Sequence, residues 1–323
     1  MFEAIIDNLN GTLWNISELC SEITWKTSRI GKPSVLNVTL HRDGLFQAKD
    51  FAVHNGNVIR ITVDGHNLFW GRVFVQETGS GEPVRLQAYD QLRYLHETDT
   101  YVKTNVRADE VILDQCAAVG LRVGTLANTQ FAIPKMMEDG QKRLDICCKA
   151  LDSTLVATGR LYVLYDDFGF VQLRDVSDMM IDLILGDDSL VYQYKIKRSI
   201  DDDTFNRIKL VQDNKATGKR DVYIAKDSGN IALWGPLQYY QKVDDKLNPA
   251  QIKRMLESLL QLKNREKVTF TLETLGFARM RAGLKVQVTI EELGMNQYYL
   301  VEECTHRLSG EEHTMSLEMK VYE

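Results

Sequence analysis

The sequence predicts an α+β protein that is mainly β. Two similar small β-barrels flank an α+β middle domain, and the second barrel carries a helical insertion. Three observations lead there. Short alternating segments fill both ends of the 323-residue chain. The middle switches from a period of two to helical spacing. One hairpin pattern is written twice, once near each end.

The first domain is set at residues 1–104. Val35 to Leu40 (VLNVTL) is rich in β-branched residues and partly alternates. Val58, Ile59, Ile61 and Val63 follow, and Asp64-Gly65 is a two-residue hairpin signal. Leu68 to Val75 returns, Gly79-Ser80-Gly81 turns, and Val84 to Tyr89 runs back. Strands this short and this closely spaced fit a small barrel or sandwich.

The middle domain is set at residues 105–189. Ala108, Val111, Ile112, Cys116 and Val119 recur at the spacing of an amphipathic helix. Asp109 and Glu110 suit its N-terminal end and Gly120 its C-terminal cap. Pro134 is placed in a loop. A second helix is expected over Gln141 to Thr158, then strands at Leu161–Tyr165 and Phe168–Leu173 with a turn near Gly169.

The third domain is set at residues 190–323, with an inserted segment at about 213–266. Leu190 to Ile196 and Phe205 to Val211 alternate. Asp213 to Lys219 is a polar loop, and Gly229-Asn230 and Gly235-Pro236 mark turns. One helix interrupts. Asn248 caps it, Pro249 takes its first position, and Ile252, Met255, Leu256, Leu259 and Leu262 form a stripe expected to pack on its own domain. Strands resume at Val268 to Leu272.

The two ends can be laid against each other. Ile61-Thr62-Val63-Asp64 meets Val288-Thr289-Ile290-Glu291, and Phe74-Val75-Gln76-Glu77 meets Leu300-Val301-Glu302-Glu303. Ser80-Gly81-Glu82 meets Ser309-Gly310-Glu311. Upstream, Ser34 to Asp43 is matched to Thr204 to Asp213. Any one match is weak, because alternating strands resemble one another. Their order and near-equal spacing point to a duplicated β module.

Composition narrows the function. The formal net charge of −6 disfavours a dedicated nucleic-acid surface, which shows a basic domain or stripe. Lys195, Lys197 and Arg198 are expected to face solvent on a strand. Cys20, Cys116, Cys147, Cys148 and Cys304 are odd in number and scattered, which fits reduced, partly buried thiols rather than a disulfide framework. The N-terminus lacks the pattern of a secretory signal, and no apolar run is long enough for a membrane helix.

No catalytic, cofactor-binding or metal-binding residue is assigned. His41, His54, His66, His96, His306 and His313 form no metalloprotease motif, and there is no Cys-x-x-Cys pair. Cys304, His306 and His313 lie close in sequence but lack a standard zinc spacing, so they read as part of a solvated turn. Asp201-Asp202-Asp203 lacks the glycine and terminal glutamate of a calcium loop. Gly79-Ser80-Gly81 is not followed by a helix, so it makes a poor phosphate loop.

Gly56 to Thr104 nevertheless resembles the first domain of phage baseplate hub proteins, the late control gene D and XkdQ-like proteins of contractile tails. The resemblance lies in Trp70-Gly71-Arg72-Val73, Glu77, Ala88-Tyr89-Asp90, Leu92-Arg93-Tyr94-Leu95 and Thr100-Tyr101. The helix at Ala108, the helix near Leu144 and the hairpin around Gly169 continue the family's order. The resemblance implies a non-enzymatic structural hub without cofactor, assembled in the host cytoplasm. Its two barrels would be tube domains, and three chains would form a pseudo-sixfold ring joining a hexameric tail tube to a threefold spike. The implied partners are further copies of the chain, the tube protein, the spike, and other baseplate and LysM-type hub-associated proteins. DNA would pass through the channel without sequence-specific binding, and no membrane insertion is implied. Two alternatives stay open. Many carboxylates suit a tail-associated cell-wall hydrolase, and Trp14, Trp70 and Trp234 suit a host-glycan-binding β protein.

Overall fold

Period-two alternation dominates the first hundred residues, and strands form there. They are β1 (Phe2–Asp7), β2 (Leu13–Asn15), β3 (Cys20–Ser28), β4 (Val35–Leu40), β5 (Val58–Val63), β6 (His66–Glu77), β7 (Val84–Tyr89) and β8 (Thr98–Arg107). The computed structural model describes residues 1–41, 51–80, 83–186, 191–201, 203–214, 218–245 and 247–321. Asp64 and Gly65 take φ of 50° and 75°, the left-handed pair whose twist matches a two-residue hairpin. Inward side chains of these strands, among them Ile23, Leu36, Val38, Ile59, Ile61, Phe69 and Leu86, bury one core. A Cβ at Gly71 would stand 2.2 Å from the Tyr89 carbonyl, so β6 and β7 approach closely only with glycine there.

The middle segment holds α1 (Ala108–Ala118), β9 (Val123–Leu126), β10 (Ala132–Lys142), α2 (Arg143–Thr158), β11 (Tyr162–Asp167), β12 (Phe170–Asp175) and β13 (Met180–Gly186). The Glu110 carboxylate accepts from the Arg107 N–H at 2.8 Å, which satisfies the backbone donor at the start of α1. Ala108, Val111, Ile112 and Cys116 are its buried face, as the spacing predicts. Two findings depart from expectation. β8 and β10 pair as an antiparallel ribbon that the polar sequence does not announce. Pro134 lies within β10 rather than in a loop, between Ile133 opposite Val106 and Lys135 opposite Thr104. A strand with a free side tolerates proline, because only one of its edges must donate.

The last segment holds β14 (Val191–Ser199), β15 (Arg207–Asn214), β16 (Lys219–Lys226), α3 (Ser228–Trp234), β17 (Gln238–Lys242), α4 (Pro249–Lys263), β18 (Lys267–Leu275), β19 (Lys285–Ile290), β20 (Met295–Ser309) and β21 (Glu312–Val321).

The chain divides into two compact units. One comprises Met1–Thr154, Arg160–Lys195 and Phe270–Glu323; the other comprises Leu155–Gly159 and Ile196–Thr269. In the second unit β15 is the centre of the order β16-β15-β17. Ile252, Leu256 and Leu259 of α4 pack on Ile208 and Leu210 of β15, so the stripe covers its own domain. The stretch 213–266, read as the insertion, falls inside this unit, which begins earlier. Gly229-Asn230 is not a turn but the start of α3, capped by the Asp227 carboxylate, which accepts from Asn230 N–H at 3.0 Å.

One sheet of thirteen strands runs β14-β18-β21-β20-β3-β4-β7-β6-β5-β1-β2, with β13 on β19 and β19 on β20; all of it lies in the first unit except Ile196–Ser199 of β14 and Lys267–Thr269 of β18. The protein is mainly β, but among the described residues the ends do not close into two separate barrels. The outer edge of β3 is taken by β20, so hydrogen bonding joins the two β regions instead of closing the first on itself.

Candidate assembly interface

The sheet contains one arrangement twice. β4-β7-β6-β5 in the first half recurs as β18-β21-β20-β19 in the second. The correspondence reaches single residues. In β6, Val73 faces Ala88, the next residue bulges, and Val75 faces Gln87. In β20, Val301 faces Met319, the next residue bulges, and Glu303 faces Glu318. Just ahead, Gly56 N–H donates to the Val73 carbonyl at 2.7 Å and Val73 N–H to the Asn57 carbonyl at 2.9 Å. Gly283 N–H donates to the Val301 carbonyl at 2.8 Å and Val301 N–H to the Leu284 carbonyl at 2.9 Å.

These pairings place Ile61-Thr62-Val63 on Val288-Thr289-Ile290, as the sequence predicts. They correct the next match: Val301 corresponds to Val73, not Val75. The upstream match fails too. Thr204 to Asp213 overlaps β15 in another sheet, and the strand in the place of β4 is β18. Of the turn matched to Ser309-Gly310-Glu311, Gly81 and Glu82 lie outside the described residues. The outermost strands also differ, since β1 runs antiparallel to β5 while β13 runs parallel to β19.

The two copies meet at β3 and β20, where Ser28 faces Glu303 and Ile23 faces Leu308 in an antiparallel ladder. The outer face of this joint is ionic. Lys26 Nζ lies 2.6 Å from the Glu303 carboxylate, Arg29 Nε 2.9 Å from that of Glu302, and Arg307 Nε 3.2 Å from that of Glu22. Burial pushes the Glu302 carboxyl up, but the Arg29 and Lys320 charges more than offset it and hold it below the usual carboxylate range. The inner face is apolar and aromatic. His306 stacks on Trp25 with ring centroids 5.1 Å apart.

His306 is thus not in a solvated turn, and neither is Cys304; both are fully buried. Alternation along β20 turns them inward while Glu303 and Thr305 turn out. His306 Nε2 lies 2.8 Å from the Met280 carbonyl and 3.3 Å from Cys304 Sγ, and its Nδ1 lies 2.9 Å from His313 Nε2. Donation of Nε2–H to Met280 leaves Nδ1 to accept from His313. Burial depresses the His306 pKa to about 3, so the ring is neutral. Among the described residues no group of three or more His, Cys, Asp or Glu is placed to hold a metal.

A second buried polar cluster links three segments of the same unit. Asp90 accepts from Ser34 N–H at 2.8 Å and Leu92 N–H at 3.0 Å. Asp166 accepts from Gln91 Nε2 at 2.7 Å and Gly169 N–H at 2.8 Å. Arg281 donates to the Asp166 backbone carbonyl at 3.1 Å and lies 3.9 Å over the Tyr165 ring. Burial pushes both carboxyls up, Asp90 to about 6 and Asp166 to about 7, and the Asp90 charge adds to the rise at Asp166. In the sequence Asp90 stands out only within Ala88-Tyr89-Asp90, one of the stretches that carry the resemblance, and nothing marks it or Asp166 as a buried acid.

The remaining candidates are dispersed. All five cysteines are free, and all but Cys148 are buried. Trp14 packs edge-on against Phe51 at 5.6 Å, and the Arg122 guanidinium covers Trp70 at 4.6 Å, so neither ring lies open on the surface. Trp234 is half-buried at the end of α3. Asp203 pairs with Lys263, while Asp202 and Gly81 lie outside the described residues. Lys195, Lys197 and Arg198 are exposed on β14. No helix among the described residues is long and apolar enough to cross a membrane.

Residues 23–320 match the model of the YQBQ-like family. The chain is 30% identical over 272 residues to the phage-like element PBSX protein XkdQ of Bacillus subtilis, covering 83% of this chain and 82% of that protein. Its fold is similar to that of a tail protein from Neisseria meningitidis, with a TM-score of 0.72 at 15% identity, covering 99% of this chain and 96% of that one. It is also similar to the prophage MuSo2 tail protein of Shewanella oneidensis, with a TM-score of 0.71 at 12% identity and 98% of each chain covered. The fold is also similar to that of a component of the E. coli type VI secretion system, itself structurally similar to the T4 tail proteins gp27 and gp5, with a TM-score of 0.57 at 9% identity over 99% of this chain and 77% of that one.

Proposed function

The chain belongs to the YQBQ-like family, and on that premise we propose that it is the structural hub of a contractile-tail baseplate or a tail-like particle. In this reading residues 1–104 and 190–323 are the two tube domains and residues 105–189 the middle domain. Three chains set six similar modules around one axis. A sixfold tail tube stacks on that ring, and a threefold spike meets its other side. The ring assembles in the cytoplasm of the host, together with the tube protein, the spike and a LysM-type companion.

One observation carries the reading: the repeated four-strand arrangement, joined within the chain by β3 and β20. A chain that holds two copies of one module side by side, edge to edge, converts threefold stoichiometry into six similar seats. Closed rings demand the same patch at every seat. The tail-protein names of the relatives point the same way. The hub needs no catalytic set, and its chemistry is that of strand edges.

Electron cryomicroscopy of the full chain co-expressed with its tube partner tests this. The expected particle is a three-chain ring with six similar lobes capping a tube. A chain that stays monomeric and never joins a tube end, with its neighbours present, overturns it.

A further inference from the structure

We propose that copies of this chain join by pairing the outer edge of β14 in one copy with residues 74–77 of β6 in the next. The proposal rests on the ring reading and names the surfaces that would make the ring.

Within the chain, β20 has two partners on the side away from β21. β19 pairs with Met295 to Leu300, and β3 pairs with Glu303 to Leu308. Val301 marks the change, with its backbone bonded to Gly283 and Leu284. One residue later, the Glu302 carbonyl accepts from Arg29 N–H at 2.9 Å, and the β3 ladder begins.

β6 is built alike up to the same point. β5 pairs with His66 to Arg72, and the Val73 backbone is bonded to Gly56 and Asn57. β6 then continues to Glu77, paired with β7 on one side. On its other side, among the described residues, no strand follows β5. Among the described residues, the position that β3 fills beside β20 is therefore open beside β6, and Val75 is 38% exposed there.

The strand that corresponds to β3 in the second half is β14. It neighbours β18 as β3 neighbours β4, and it ends the sheet order. Each copy thus carries one open acceptor, beside β6, and one outer strand of the matching kind. An edge of this sort is a template for another chain. Because the two surfaces differ, the contact is head-to-tail, and it closes when the rotation closes.

Charge selects the partner. Across the joint inside the chain, the basic strand is β3, with Lys26 on Glu303. β14 carries Lys195, Lys197 and Arg198, and the open stretch of β6 ends in Glu77. Val75 corresponds to Glu303, each being the first residue after its bulge. Laying β14 on β3 by their C-terminal ends then sets Ser199 opposite Val75 and Lys197 opposite Glu77. Lysines on an edge repel indiscriminate partners, whereas opposite a glutamate they favour this one.

The test is disulfide cross-linking of the full chain, co-expressed with its tube partner and oxidised after assembly. A chain carrying both Glu77→Cys and Lys197→Cys is expected to give a three-chain species on a non-reducing gel, and neither single variant should. Moving the second cysteine to Arg198, which points to the other face, should lose that species. Cross-linking at both positions, or at neither while rings are seen by microscopy, overturns the edge assignment and leaves the hub reading standing. Absence of rings from the wild-type chain removes both.

Discussion

Gly56 and Gly283 stand at the same point of two hairpins. They take φ of 92° and 95°, and each donates its N–H to a valine carbonyl, that of Val73 or of Val301. The two valines precede matching bulges, and each bulge ends the pairing with one strand. In the second hairpin another strand takes over at once, and in the first, among the described residues, the edge is left open. A local backbone feature thus fixes where one partner strand ends and the next can begin.

The two glycines are not equally replaceable. Alanine at either must hold a left-handed φ, at a cost of about 1–2 kcal/mol. Nothing lies within 4 Å of the Cβ position at Gly56, whereas at Gly283 a Cβ would meet a Val163 methyl at 2.8 Å. Crowding of that kind adds about 1–3 kcal/mol. Gly283→Ala is expected to lower stability more than Gly56→Ala. Urea unfolding of the two variants measures it, and equal losses would mean that Val163 moves aside freely.

Arg29 holds the ionic face of the joint between the halves. Its side chain is almost wholly buried, and its Nε donates to Glu302 at 2.9 Å. Arg29→Met removes this partner and leaves Glu302 with Lys320, 2.6 Å away. Losing a hydrogen bond to a largely buried charge costs about 2 kcal/mol. Replacing Glu302 by Gln as well should recover part of that loss, because the carboxylate left short of partners is gone. Denaturant midpoints of the single and double variants check this. A double variant with the full sum of both losses would show that the pair is not coupled.

Much of this architecture was legible in the sequence, and the failures share a physical cause. Asp64-Gly65, the α1 face and the Asn248 cap with its stripe each depend on local chemistry, and each is found where that chemistry puts it. The repeat was legible as an order of strands but not in register. Matching Val75 with Val301 errs by two residues: it sets an exposed valine that follows the bulge on a buried one that precedes it, and alternation read from sequence alone does not show where a bulge reverses the facing. Only the bulge, a property of pairing, decides it. β15 was matched to β4 for the same reason: alternation states that a residue faces inward, not which sheet it faces. His306 was read as part of a turn because the length of β20, fifteen residues, is set by two successive partner strands that sequence does not show.

The Asp90–Asp166 cluster makes stability depend on pH. Both carboxyls have folded-state pKa values raised above the unfolded ones, so the folded protein holds protons that the unfolded chain releases. That contribution is fully present below about pH 4 and is lost as pH rises through about 6 to 7. For Asp90 alone the rise corresponds to on the order of 3 kcal/mol. Melting temperature is expected to fall between pH 5 and pH 7.5 in proportion. Asp166→Asn, which keeps an oxygen for the Gly169 N–H, should flatten the profile. A wild-type profile that rises over this range would contradict the assignment.

The five thiols should be silent in the folded protein. Burial pushes Cys20, Cys116 and Cys148 up to about 12, and it also raises Cys147 and Cys304 well above the ordinary thiol range. A thiol reacts as its thiolate, and only Cys148 is even partly accessible. Labelling at pH 8 is therefore expected to modify Cys148 slowly and the other four only after denaturant is added. Cys304 is the informative one, because it lies at the joint beside His306, 3.3 Å away. If Cys304 labels at the rate of Cys148 in native buffer, then β3 and β20 separate readily, and the joint between the two halves is not the fixed contact described above. Protection of Cys304 through to the main unfolding transition is the expected result, read by mass spectrometry of peptides after timed quenching.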